Sequence, residues 1–87
     1  MPDPTHWPEW WQWQLEFTDH LYDRMAQRGF TETDLRTMLA DASGYVPGQR
    51  PGRWRIQSQW SGRRWEVVVE PDVADEMLVV VMAYEVS

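Results

Sequence analysis

At 87 residues the chain makes one small domain, and seven Trp, three Tyr and two Phe supply the large side chains with which so short a chain can fill a core. The absence of cysteine excludes a disulfide framework and a thiolate metal site. Fourteen acids against eight bases leave a net charge of −6, which argues against a general nucleic-acid binder.

Residues 1–13 read as a Trp- and Pro-rich arm ahead of a single domain over 14–87. Pro2, Pro4 and Pro8 stand in the first nine residues without any periodicity, so that part is expected to be extended and loose. The start, Met1-Pro-Asp-Pro4, lacks the basic region and apolar run of a secretory signal. The longest apolar run, Met77 to Tyr84, is eight residues and too short to cross a bilayer. A cytoplasmic protein without a membrane segment is the expectation.

Trp11, Trp13, Leu15 and Phe17 alternate with Gln12, Gln14 and Glu16, the period-two pattern of a half-buried strand. Pro8 offers the alternative of a helical turn at the start of this stretch, so the strand is placed over its second half. Thr18 or Asp19 then caps a helix running to about Arg28, which Gly29 ends in a left-handed conformation. Phe17, Leu21 and Met25 form an apolar stripe. His20, Arg24 and Arg28, also four apart, form a polar stripe beside it. Thr31 and Asp34 make a capping box for a second helix, with Phe30 and Leu35 as its hydrophobic staple. Leu35, Met38, Leu39 and Ala42 give that helix one buried face, and Ser43-Gly44 ends it.

Two prolines and three glycines in residues 44–52 predict a loop with no regular element. Residues 53–60 and 63–70 then read as a β-hairpin across a two-residue Ser61-Gly62 turn. That turn pairs Trp60 with Arg63, Ser58 with Trp65, Ile56 with Val67 and Trp54 with Val69. The alternate pairs are Gln57 with Glu66, Arg55 with Val68 and Arg53 with Glu70. One set is nearly all apolar and the other mostly polar, and a one-residue slip would mix them. Residues 71–76 form the next turn. Met77 to Tyr84 is a strand apolar on both faces, hence central or covered on both sides. The fold class is α+β: a short strand, then two helices packed on one face of an antiparallel β-meander. The helices take the face with Trp54, Ile56, Trp65, Val67 and Val69. The other face carries Arg53, Arg55 and Arg64 beside Val68 and the last strand. An apolar floor edged with arginines calls for a cover: the Trp-rich arm, a second copy or a partner chain.

Five arginines and no acid lie between Ala42 and Trp65, whereas six acids and no base follow from Glu66 onward. Interleaved Arg and Trp suit a single-stranded nucleic acid. The alternation of a strand instead sends Trp54 and Trp65 inward and the arginines outward, where phosphates remain within their reach. His20 beside two arginines is either a general acid or base or a structural histidine bonded to the backbone. Arg24 and Arg28 are either phosphate ligands or surface ion-pair partners of Asp23 or Glu32. His6 and His20 are the only histidines, and Asp19, His20 and Asp23 lack a ligand spacing, so neither a metal nor a cofactor is expected.

The run Phe17-Thr-x-His20-x3-Arg24-Met-x2-Arg28-Gly29-Phe30, followed by a capped helix and a Val-rich meander, resembles a family of small bacterial domains grouped with the RelE/ParE and BrnT toxins. The resemblance spans about residues 15–86. It implies a RelE-like fold and, in active relatives, mRNA cleavage or gyrase poisoning, neutralised by an antitoxin over the sheet or basic groove. On that reading His20, Arg24 and Tyr84 are catalytic, and Arg28, Arg53, Arg55 and Arg64 bind RNA. The alternative is a non-catalytic interaction module with a degenerate toxin fold, joined by an antitoxin, another partner or a second copy of itself through the open sheet face.

Overall fold

The computed structural model describes residues 7–86. Pro8 leads into a single 3-10 turn over Glu9–Gln12, and β1 (Gln14–Phe17) follows it. Both readings of the Trp-rich stretch thus hold, each over its own half. The expected loose arm falls partly on residues 1–6, outside the described residues. Trp7, Trp10, Trp11 and Trp13 pack against the core.

Helix α1 (Asp19–Arg28) is capped by Thr18, whose hydroxyl accepts from the Leu21 N–H at 3.1 Å. It stops at Gly29, whose φ of 75° a side chain would resist. Phe17 belongs to β1 rather than to the helix, because the cap at Thr18 begins the helix after it. Leu21 and Met25 are the buried part of the apolar stripe. Helix α2 (Glu32–Ala40) carries the full capping box: Asp34 N–H donates to Thr31 Oγ1 at 3.2 Å, and Thr31 N–H donates to Asp34 Oδ2 at 2.9 Å. Phe30 and Leu35, the staple, are both buried.

Four more strands complete a sheet: β2 (Gly44–Pro47), β3 (Trp54–Trp60), β4 (Arg63–Asp72) and β5 (Met77–Glu85). The order is β1-β5-β4-β3-β2. β2 through β5 are antiparallel, while β1 runs parallel to β5, so the sheet is mixed rather than a pure meander. The predicted loop over 44–52 is corrected at its start. Gly44–Pro47 pairs along β3 as an edge strand, where a proline's missing N–H costs no ladder bond. The hairpin register is the predicted one throughout, and Ser61 (φ 54°) and Gly62 (φ 76°) both take the left-handed conformation that such a turn requires.

Both helices lie on one face, α1 over β5 and α2 over β3. Between them and the sheet sit Leu21, Leu35, Met38, Ile56, Val67, Val69, Leu78 and Val80, all fully buried. Ser58 joins this layer and satisfies its hydroxyl on the Met38 carbonyl, tying β3 to the last turn of α2. Where the helices end, Trp7, Trp10 and Trp11 cluster with Tyr45 and Trp54 at ring separations of 4.3 to 6.3 Å. The described part of the arm therefore extends the covered face and does not lie over the arginines.

β5 contains one extra residue. Val69 pairs with Val80 but Val68 pairs with Met82, so Val81 is a bulge. Strict alternation from Leu78 and Val80 would send Tyr84 toward the helices and Ala83 outward. The bulge reverses this: Ala83 is buried and Tyr84 stands on the open face.

Candidate arginine-edged sheet face

The open face is built from every second residue of three strands. β3 contributes Arg55, preceded by Arg53; β4 contributes Glu66, Val68 and Glu70; β5 contributes Val79, the bulge pair Val81 and Met82, and Tyr84. Val68, Val79, Val81 and Met82 are half-buried. Gly48, Gln49 and Arg50 from the turn between β2 and β3 raise a wall at one side. With Arg53, Arg55 and Tyr84 they enclose a depression of about 230 Å³.

Two of the cations here, Arg53 and Arg55, are already engaged. Arg53 Nε donates to Glu70 Oε1 at 3.2 Å, the cross-strand pair that the register predicts, and Arg55 Nη1 lies 3.6 Å from Glu66 Oε2. Tyr84 donates its phenolic hydrogen to Glu66 Oε1 at 3.2 Å. Burial, and then the charge and hydrogen bond of Glu66, raise the Tyr84 pKa, with Arg55 working the other way. Tyr84 is thereby kept a neutral hydrogen-bond donor. The Arg55 Nε is buried and finds no acceptor among the described residues.

The remaining candidates are elsewhere. Arg64 pairs with Gln59, one step from Glu66 along the same face and outside the depression. His20 and Arg28 are exposed on α1 and Arg24 is half-buried. All three belong to the helix layer, so the sheet stands between them and Tyr84. Glu32, offered as a partner for Arg24 or Arg28, pairs with Arg36 at 3.1 Å, one helical turn away, and Arg36 also lies 5.5 Å from the centre of the Phe17 ring. The structure therefore brings Arg53, Arg55 and Tyr84 together with Arg50, and does not bring His20 or Arg24 to them. Sequence reasoning missed the placement of Tyr84, since a bulge leaves no mark in an all-apolar run. The signal for the wall was present in Arg50, carried on the loop that leads into the basic strand.

Residues 17–85 match the family described as Domain of unknown function (DUF4258). The chain belongs to the DUF4258 family. The match begins at Phe17 and so takes in both helices and all of β2 to β5, leaving the Trp-rich turn and most of β1 outside it. Comparison of this DUF4258 chain with curated proteins and with solved structures found no match. Among its described residues no helix is long and apolar enough to cross a membrane.

Proposed function

We propose that this DUF4258 domain is a non-catalytic protein-interaction module that seats a partner on its open sheet face. The observation that carries this reading is the pairing of Arg53 with Glu70 and of Arg55 and Tyr84 with Glu66 around an apolar floor. A phosphate competes there with carboxylates already in place, and His20, the acid–base candidate of the helix stripe, is on the far side of the sheet. A floor of Val68, Val79, Val81 and Met82 with the ion-paired Arg53 and Arg55 beside it suits a protein surface of mixed character. The test is a binding measurement with co-purified partners, comparing wild type, Val81→Glu and His20→Ala. Loss on Val81→Glu with retention on His20→Ala supports the module. Equal retention by both refutes it.

One observation favours a second reading, the RNA-directed, toxin-like domain: Arg50, Arg53, Arg55 and Tyr84 border one depression. There the arginines would hold phosphates and Tyr84 would donate a proton. Expression in a bacterial host, followed by growth and RNA integrity, separates the two. Arrested growth with cleaved RNA, abolished by Arg55→Ala in a protein that still folds, selects the toxin-like reading. Unimpaired growth with intact RNA removes it.

A further inference from the structure

The charges on the open face are ordered across the strands. One row runs Glu16 on β1, Val79 on β5, Glu70 on β4 and then Arg53 beside the start of β3: Glu16 pairs with Val79, Val79 with Glu70, and Arg53 is ion-paired to Glu70. The next rows carry Val81 and Met82 beside Val68 and Arg55, and Tyr84 beside Glu66 and Gln57. The face thus has an acid on the β1 edge, cations along β3, and between them the apolar residues of β5 with Glu66 and Glu70 of β4 paired to those cations. A purely anionic partner would meet Glu66 and Glu70 as well as the arginines. A surface with the same order reversed would meet none of its own sign.

We infer that the partner is a second copy of this chain, docked face to face about a twofold axis parallel to the strands and lying between β4 and β5. Such an axis keeps each row level and reverses its order. Glu16 of one copy then stands over Arg53 of the other, Val79 over Glu70, Val68 over the bulge pair Val81 and Met82, and Tyr84 over Glu66. A twofold axis across the strands instead keeps each strand over its own copy: at the level of Glu70 it sets Arg53 over Arg53 and Glu16 over Glu16, and at the level of Val68 it sets Arg55 over Arg55 and Glu70 over Glu66, so the charge order selects the first arrangement. Two sheets stacked this way keep their strands within about 30° of each other. The size fits as well. The four strands that overlap, three of seven to ten residues and β1 of four, outline a face of roughly 500 Å² at spacings of about 4.8 Å and 3.3 Å. Side-chain relief raises the accessible area toward the ~800 Å² that each partner gives a standard interface.

This inference deepens the interaction-module reading and rests on it. Sedimentation velocity over a range of protein concentrations tests it on the full 87-residue chain. Wild type forms a species of twice the chain mass as concentration rises. Glu16→Arg and Arg53→Glu, each alone, weaken that dimer by about tenfold or more, because each sets two like-charged contacts across the axis. An equimolar mixture of the two variants restores it, since every altered contact is then again Arg against Glu. Val81→Glu abolishes it. Circular dichroism reports whether each variant folds; if Val81→Glu does not, Glu16→Arg, at an exposed position on the edge strand, carries the test. A wild type that stays monomeric overturns the inference, as does a dimer unaffected by Glu16→Arg or a mixture that fails to recover. A monomer that still loses another protein on Val81→Glu overturns the self-docking and leaves the module reading standing.

Discussion

The two faces of the sheet are made from the same three strands and differ in what each alternate residue is asked to do. On the covered face Ile56, Val67, Val69 and Val80 are fully buried and meet the helices. On the other, Arg55, Val68, Glu66 and Tyr84 alternate with them, half-buried, with cations, acids and a phenol spaced among the valines. The first face explains why the chain folds, since burying apolar area is the dominant favourable term. The second does little for folding and is not a plain solvent face, the character of a surface that meets a partner. The contrast is sharpest at neighbours. Ile56→Ala, in the covered layer, is expected to cost about 3 kcal/mol, and Val68→Ala, one strand across on the open face, about 1 kcal/mol or less. Urea denaturation with an unchanged slope measures both. Equal losses would mean that the faces are not divided as described.

A smaller effect tests how the helix layer is held. Thr31 and Asp34 satisfy each other's backbone N–H at the start of α2, and Phe30 and Leu35 close beneath them. Thr31→Ala is expected to cost about 1 kcal/mol, and Thr31→Ser to recover most of it. Thermal melts of the two variants decide this, and neither substitution reaches the open face.

Most of the covered face was legible in the sequence because local rules fix it. A two-residue turn sets the register of β3 against β4, and the alternation of Trp54, Ile56, Trp65 and Val67 with Arg55, Gln57 and Glu66 admits only that register. The helix caps are equally local. What escaped is non-local. β2 hides among prolines and glycines because an edge strand tolerates Pro47. The parallel pairing of β1 with β5 joins segments about sixty residues apart, which no local signal encodes. The site was legible in part. Arg53, Arg55 and the Arg53–Glu70 pair follow from the register, but Tyr84 reached them through the Val81 bulge. His20 and Arg24 form the stripe that their spacing predicts, and α1 carries it away from the arginines.

The Arg53–Glu70 pair sharpens the comparison from the electrostatic side. Its side chains are 28% and 46% exposed, so the coupling is expected to stay below about 1 kcal/mol. A double-mutant cycle with Arg53→Gln and Glu70→Gln measures it, and added salt should shrink it further. A coupling well above that value would make this edge of the open face structural, and would weaken the case that its charges serve a partner.

Tyr84 gives the smallest effect at neutral pH and the most specific one at high pH. Its folded pKa is raised above 10.0, so the fold favours the neutral phenol that donates to Glu66. The associated stability is fully present below the unfolded value of 10.0 and is lost as pH rises through the folded value, because the unfolded chain releases the proton first. Tyr84→Phe has no proton to release and lacks this alkaline loss. Near neutral pH the variant should differ from wild type by about 0.5 kcal/mol or less, since Arg55 still faces Glu66. Above about pH 10 the gap should move in favour of Tyr84→Phe, as wild type alone pays for ionising. Denaturation midpoints of both proteins at a series of alkaline pH values follow this difference directly. Parallel curves would mean that Tyr84 is not held against Glu66, and that the bulge at Val81 does not set the chemistry of the open face.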